Sequence, residues 1–337
     1  MKVYTLFFTC IFLFFSFIAS AQEKAIPKAG EGINQFLLNN GRSPTTYFNE
    51  FIALNKKRLG KNNSLIKGVS YTLPSKSFSG TKQKTTTASV TDKKKKEPLF
   101  GDKYAEYSIT SNKLKGATFY LVSGHGGPDC GAIGKADGKE IHEDEYAYDI
   151  MLRLARNLMM EGATVYIIIQ DKKDGIRDDQ FLKNNKTETC RGKEIPLNQT
   201  KRLQQRCAEI NTLSRKSKSK YQRAIFIHLD SHSNKRQLDV YFYHHSASKD
   251  GKCLGDTMRK TFSEQYQKHQ PNRGFTGTVS ARDLYVLTNS KPICLFAELG
   301  NIRNSFDQQR FLLSSNRQAL ANWMCRGFIK DFEDSKK

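Results

Sequence analysis

Apolar and polar positions divide the chain into textures that change abruptly. Leu6 to Ile18 is an almost unbroken apolar run. Gly30 to Pro74 then alternates short apolar segments with turn residues. Ile33 to Leu38 predicts a short helix, Phe48 to Asn55 predicts a second one, and Val69 to Pro74 alternates like a strand. Such a module is marginal as a core of its own. Lys76 to Pro98 holds Ser, Thr, Gly and Lys with only Phe78 and Val90 as large apolar residues, the composition of a linker.

From Leu99 onward strands and helices alternate. Ala117 to Val122 predicts a strand that ends in the turn Ser123-Gly124-His125-Gly126-Gly127. Glu145 to Met160 is amphipathic, with Ala147, Ile150, Leu154 and Leu158 at helical spacing, and Gly162 stops it. Thr164 to Ile169 reads as a buried strand, Asp171 to Lys193 as a polar loop and Leu197 to Leu213 as a helix. Ala224 to His228 is another buried strand. Leu238 to Tyr243 and Leu284 to Leu287 are candidate strands, Ile293 to Glu298 is the last strand, and Gln309 to Phe332 is mostly helical. Near-continuous apolar strands between helices predict an α/β fold with a mostly parallel sheet covered on both faces.

Composition adds a destination and a surface. Lys2, the apolar run and the small-x-small site Ala19-Ser20-Ala21 read as a secretory signal over residues 1–21, with cleavage before Gln22. The run is short for a membrane span and no second one follows, so no stable membrane insertion is expected of the mature chain. Net charge is +22, from 55 Lys and Arg against 33 Asp and Glu. Such a surface suits a polyanion. Export makes nucleic acid the weakest candidate and leaves anionic lipid and the carboxylate-bearing cell wall. Beyond the signal, Cys130, Cys190, Cys207, Cys253, Cys294 and Cys325 permit up to three disulfides or buried free thiols, and spacing does not choose.

In open α/β sheets, sites form at the carboxyl ends of strands. Three predicted strands end there on His125, His228 and Glu298. A catalytic zinc takes three ligands from His, Asp and Glu and keeps a fourth position open. Taken singly, each residue has a plainer reading. His125 sits in a Gly-rich turn. Glu143, within His142-Glu143-Asp144-Glu145, fits an acidic helix start. His228 fits a strand-end core histidine, with His232 and the pair His244-His245 as rivals. Glu298 fits a structural carboxylate paired with Arg.

Their order along the chain is more specific. Ser123 to Ala132, reading SGHGGPDCGA, resembles the DPGHGGxDPGA opening of zinc-dependent N-acetylmuramoyl-L-alanine amidases of the Amidase_3 type. Glu143 and its helix resemble that family's ligand-Glu segment. Pro196 to Asn211 resembles its L…R…AN helix, and Ile227-His228-Leu229-Asp230-Ser231 its second His motif. Arg273-Gly274, Leu284 to Leu287 and Pro292 to Gly300 resemble its RG…FYVL…PAVLVELGF ending. The resemblance covers residues 115–337. It implies one Zn2+ on His125, Glu143 and His228, and Glu298 as the catalytic carboxylate. It implies hydrolysis of the amide between N-acetylmuramic acid and L-alanine in peptidoglycan. Arg273 and Arg282 are candidates for binding substrate carboxylates. Ser123 and Cys130 replace prolines of the pattern, Asn301 replaces Phe, and loop 171–195 is longer than usual. These departures bear on groove shape and substrate preference.

Residues 26–75 resemble a LysM wall-binding module, through Gly30-Glu31-Gly32, Phe51, Leu54-Asn55 and Gly68 to Pro74, with the usual GDT start altered. The expected organisation is therefore a signal (1–21), a wall-binding module (26–75), a linker (76–98) and an amidase domain (99–337), exported to the periplasm or cell wall. Peptidoglycan is the expected partner and a protein activator a further candidate. Competing readings are a non-catalytic wall-binding or activator protein with a degenerate amidase fold, and a zinc peptidase acting on stem peptides.

Overall fold

The structure is a computed structural model that describes residues 22–28, 31–42, 44–60, 63–75, 94–230, 237–270 and 273–337. The expected signal segment and residues 76–93 of the expected linker lie outside these. The chain divides into two units, Met1–Gln83 and Lys84–Lys337.

In the first unit, strand β1 (Lys24–Ala25) precedes helices α1 (Ile33–Asn39) and α2 (Pro44–Asn55) and strand β2 (Tyr71–Thr72). β1 and β2 pair antiparallel. Phe36, Phe51 and Tyr71 meet with ring centroids 5.6–6.1 Å apart and are closed over by Ile33, Leu37 and Leu73. The second helix starts earlier than its apolar pattern, because Pro44 suits a first helical position. The strand expected over Val69 to Pro74 narrows to two residues. Asn55 supplies the missing ladder. Its side chain donates to Thr72 O and accepts from Thr72 N, both at 2.8 Å.

In the second unit, β3 (Lys95–Lys96) pairs antiparallel with β4 (Glu106–Tyr107), so the stretch read as linker ends in ordered structure. Then come β5 (Ala117–Ser123), the hairpin β6 (Ile133–Ala136) and β7 (Lys139–His142), and α3 (Glu143–Met160). Next are β8 (Thr164–Ile167), β9 (Ile169–Gln170), β10 (Thr189–Cys190), β11 (Lys193–Glu194), α4 (Gln199–Lys216) and β12 (Tyr221–Asp230). The chain continues through β13 (Tyr241–His244), α5 (Lys249–His269), β14 (Thr278–Ala281) and α6 (Tyr285–Asn289). It ends with β15 (Ile293–Asn301), α7 (Ser305–Leu312) and α8 (Ser314–Asp334).

The main sheet has the order β14-β13-β15-β12-β5-β8. β8, β5, β12 and β15 run parallel, while β13 joins β15 antiparallel and carries β14 beside it. The expected mostly parallel sheet is therefore present, with a reversed pair at one edge. Successive side chains point to opposite faces. Phe119, Leu121, Ile225 and Ile227 pack with α3, α5 and α8 on one face. Tyr120, Val122, Ala224 and Phe226 pack with α4 and α6 on the other.

Three local expectations change. Leu284 to Leu287 is not a strand but the start of α6, with Val286 and Leu287 buried against the sheet. A four-residue apolar run carries no period that separates helix from strand. Thr164 to Ile169 is not one buried strand. β8 lies at the sheet edge with Thr164 exposed, and the chain turns at Ile168, whose N–H donates to Leu121 O. The 21-residue α5 was masked by its polar composition and by Gly251 and Gly255. Gly255 is needed, since a Cβ there would come within 2.8 Å of Val279. Among the described residues all six cysteines are free thiols.

Candidate metal centre

β5, β12 and β15 deliver their carboxyl ends side by side. Ile227 is in register with Ser123, His228 with Glu298, and Gly124 N donates to Ile227 O at 2.7 Å. His125 therefore emerges two residues past β5 beside His228. It has a positive φ of 57°, a conformation costly for a side chain and often stored at functional sites. Gly124 and Gly131 make room for it. A Cβ on Gly124 would meet the His228 ring at 2.3 Å, and one on Gly131 would meet the His125 ring at 2.6 Å and Glu143 Oε2 at 2.8 Å.

Glu143 opens α3 but does not act as a simple helix-start charge. Its carboxylate turns inward between the two imidazoles, with Oε2 3.2 Å from His125 Nε2 and Oε1 2.9 Å from His228 Nδ1. Ala132 N and Leu229 N donate to its two oxygens at 2.9 and 3.0 Å. One donor atom from each of His125, Glu143 and His228 lies within 4.8 Å of the others. Two imidazoles and one carboxylate, oriented by backbone donors and cradled by glycines, form a donor set suited to a borderline cation such as zinc.

A second layer orients the first. His125 Nδ1 is 2.8 Å from Asp129 Oδ2, which directs Nε2 toward Glu143. Arg202 Nη2 donates to the same Asp129 oxygen at 2.6 Å, and Arg206, buried on the same helix, donates to His125 O. His228 stacks on Phe296 with centroids 4.4 Å apart. The orienting roles of Asp129, Arg202 and Arg206 were missed in the sequence. The spacing of Asp129, four residues after His125, was the available signal.

The charges shift one another strongly. Burial works to lower the His125 pKa, but the hydrogen bonds and charges of Asp129 and Glu143 override it and raise it to about 10. The His125 hydrogen bond holds Asp129 down at about 2. Burial works to raise Glu143, and the two histidines together pull it well below the usual carboxylate range. Burial lowers His228 against the opposing pull of Glu143. Glu298 moves the other way. Burial first, then the charges of Glu143 and Asp230, raise it well above the ordinary range, and its Oε2 is buried without a hydrogen-bond partner among the described residues.

The structure thus brings together His125, Glu143, His228 and, on the neighbouring strand, Glu298. His142 stays outside, with its Nε2 3.5 Å from Glu140. His244 bonds to His245 O on β13, and His232 lies outside the described residues. Arg282 lies over the Tyr243 ring at 5.2 Å and its charge acts on Glu298. Arg273 is committed elsewhere. It pairs with buried Asp239 at 2.6 Å and stacks over Tyr266, which packs in the core on the opposite face of the sheet from Phe296.

Residues 120–330 match the family described as N-acetylmuramoyl-L-alanine amidase, Amidase_3. The chain belongs to that family. The "Probable cell wall amidase LytH" of two Staphylococcus epidermidis strains is 36% identical over 81 residues. The match covers 24% of this chain and only 28% of each relative's length. Among solved structures, the amidase AmiC2 of Nostoc punctiforme superposes with a TM-score of 0.46 at 20% identity, over 66% of this chain and 99% of that one. Ami1 of Mycobacterium smegmatis gives 0.48 at 15%, over 66% and 99%. The CwlD amidase of Clostridioides difficile, solved with the GerS lipoprotein, gives 0.47 at 20%, over 64% and 98%.

Proposed function

We propose that this chain is an exported zinc hydrolase that cleaves the amide joining the lactyl group of N-acetylmuramic acid to L-alanine in peptidoglycan. The observation that carries the reading is the convergence of His125, Glu143 and His228 beside a half-buried carboxyl, Glu298, whose Oε2 has no hydrogen-bond partner among the described residues, in a chain of the amidase family.

His125, Glu143 and His228 would hold the ion. Zinc there supplies the Lewis acidity that polarises an amide carbonyl and makes water nucleophilic near neutral pH. Glu298 takes the proton from the attacking water and returns it to the leaving amine. Its raised pKa suits both halves of that exchange. Asp129 holds His125 in the tautomer that leaves Nε2 free to bind metal. Arg282, close to Glu298, is placed to meet a substrate carboxylate, whereas Arg273 serves the fold.

The first unit, a strand-helix-helix-strand module with its own aromatic core, supports a role as a LysM-like wall-binding module. The +22 charge fits an acidic wall polymer, and residues 1–21 fit an export signal. Among the described residues no helix is long and apolar enough to cross a membrane.

Mass spectrometry of muropeptides, after digestion with and without a chelator, tests the activity. Free stem peptides with an intact L-alanine amine, lost on chelation, are expected. Cuts within the stem peptide would instead make the chain a peptidase, and no release at all would make it a binding protein.

A further inference from the structure

One residue beyond the zinc ligand Glu143, a second group of acids converges. Asp144 and Glu145 continue the first turn of α3, and Glu188 comes from the long loop that precedes β10. The three are 2%, 1% and 5% exposed, and one carboxylate oxygen from each lies within 4.8 Å of the others. Three carboxylates this close repel one another, and burial leaves little water to screen them.

Their protein partners fall short of balancing them. Glu145 Oε2 pairs with Arg177 Nη1 at 2.8 Å, and that guanidinium nitrogen is shared with Asp174 at 2.7 Å. Glu145 Oε1 accepts from Asn185 N at 2.7 Å, and Glu188 Oε2 accepts from Gly127 N at 2.8 Å. Asp144 Oδ1 accepts only from the neighbouring Glu145 N at 2.9 Å. Asp144 Oδ2 is buried with no hydrogen-bond partner among the described residues. Arg177 is the only cationic side chain in an ion pair with any of the three, again among the described residues. One shared guanidinium faces three carboxyls, and an orphan carboxyl oxygen remains beside them inside the fold.

We infer that Asp144, Glu145 and Glu188 form a second cation site, distinct from the histidine-bearing one, that takes a hard divalent ion of the Ca2+ type. All the donors are carboxylate oxygens, with no imidazole or thiolate, which selects calcium over zinc. Glu188 also lines a hollow of about 230 Å³ with Gly127, Pro128, Lys186 and Ile195. The site ties three segments together. Glu188 already holds Gly127, two residues past His125, Asp144 follows Glu143, and Glu145 holds Asn185 of the long loop. An ion bridging them fixes that loop beside the zinc-bearing turn. The inference is independent of the zinc reading, and would stand in a chain that bound no zinc.

Calorimetric titration of the full chain with CaCl2, after loading with one equivalent of zinc, tests it. One Ca2+ per chain is expected, with a dissociation constant on the order of 10⁻³ M or tighter, the range of extracellular calcium modules. The same uptake is expected in His228→Ala, which places the ion away from the histidines. Glu188→Gln and Asp144→Asn should each weaken it at least about tenfold, the former with zinc content and far-UV circular dichroism unchanged. The proposal is overturned if the unaltered chain shows no saturable uptake at about ten times that concentration. It is equally overturned if calcium binds but both acid variants bind as well as the parent, or if His228→Ala alone abolishes uptake.

Discussion

Two carboxyls of the same domain, each with an enclosed oxygen, are treated in opposite ways. Asp149, in the middle of α3, is fully enclosed, and its Oδ2 accepts from Arg153 Nε at 2.8 Å and Arg317 Nε at 2.6 Å. Arg177 N donates to Oδ1 at 2.7 Å. Burial works to raise its pKa, but Arg317 and Arg153 outweigh that and lower it. Glu298, on β15 in register with His228, has an Oε2 with no hydrogen-bond partner among the described residues, and its pKa rises under burial and the charges of Glu143 and Asp230. A carboxylate that joins helices is saturated with donors. In the role proposed for Glu298, an unsaturated carboxyl with a raised pKa both takes up and releases a proton. The difference teaches that burial alone does not mark a functional acid.

Experiments can break this comparison. The largest effect is expected from Glu298→Gln. Hydrolysis should fall by at least about 10²–10⁴-fold, the range for losing a positioned acid-base group. Zinc content and melting temperature should stay near those of the parent. A melting temperature that falls sharply would make Glu298 a structural residue like Asp149.

Asp149→Ala is the mirror test. It leaves Arg153 and Arg317 as buried guanidiniums without their acid, at a cost of about 3–5 kcal/mol. Urea or thermal melts followed by circular dichroism should show that loss. Stability within error of the parent would mean that the ion network contributes little.

Asp129→Asn should have the smallest effect, and it sharpens the picture of the metal site. His125, raised to about 10, carries a proton at neutral pH in the metal-free protein, and an ion must displace it. Zinc affinity should therefore rise about tenfold per pH unit between pH 6 and 8. In Asp129→Asn the neutral His125 is favoured, so the slope should flatten, while loss of the orienting bond weakens affinity by about 10–100-fold at pH 8. Zinc titrations against a competing chelator at several pH values measure both. An unchanged slope would show that His125 carries no such proton.

Much of this was legible in the chain. The apolar runs Ala117 to Val122, Ala224 to His228 and Ile293 to Glu298 announced buried parallel strands, because only strands covered on both faces are apolar at every position. His125, His228 and Glu298 stood out because each ends such a run. Other features were hidden for identifiable reasons. Glu143 was equally a helix-start acid until the fold turned its carboxylate between two imidazoles. Arg273 looked as available as Arg282 until Asp239 was found to hold it. Leu284 to Leu287 gave no period long enough to read, and α5 hid behind a polar composition.

By itself, then, the sequence determined the central apolar strands of the second unit, the strand ends that carry its candidate site residues, and the glycines around His125. Those depend on local pattern, which a chain carries without its fold. Tertiary structure decided which acids face which bases. It set Glu143 between His125 and His228, placed Glu298 in register with His228 with its Oε2 unpaired among the described residues, gave Asp149 two arginines, and gathered Asp144, Glu145 and Glu188 from two distant segments. Charge balance in a buried site is a sum over neighbours in space, and residues 143, 188, 228 and 298 become neighbours only when the strands and the long loop are packed.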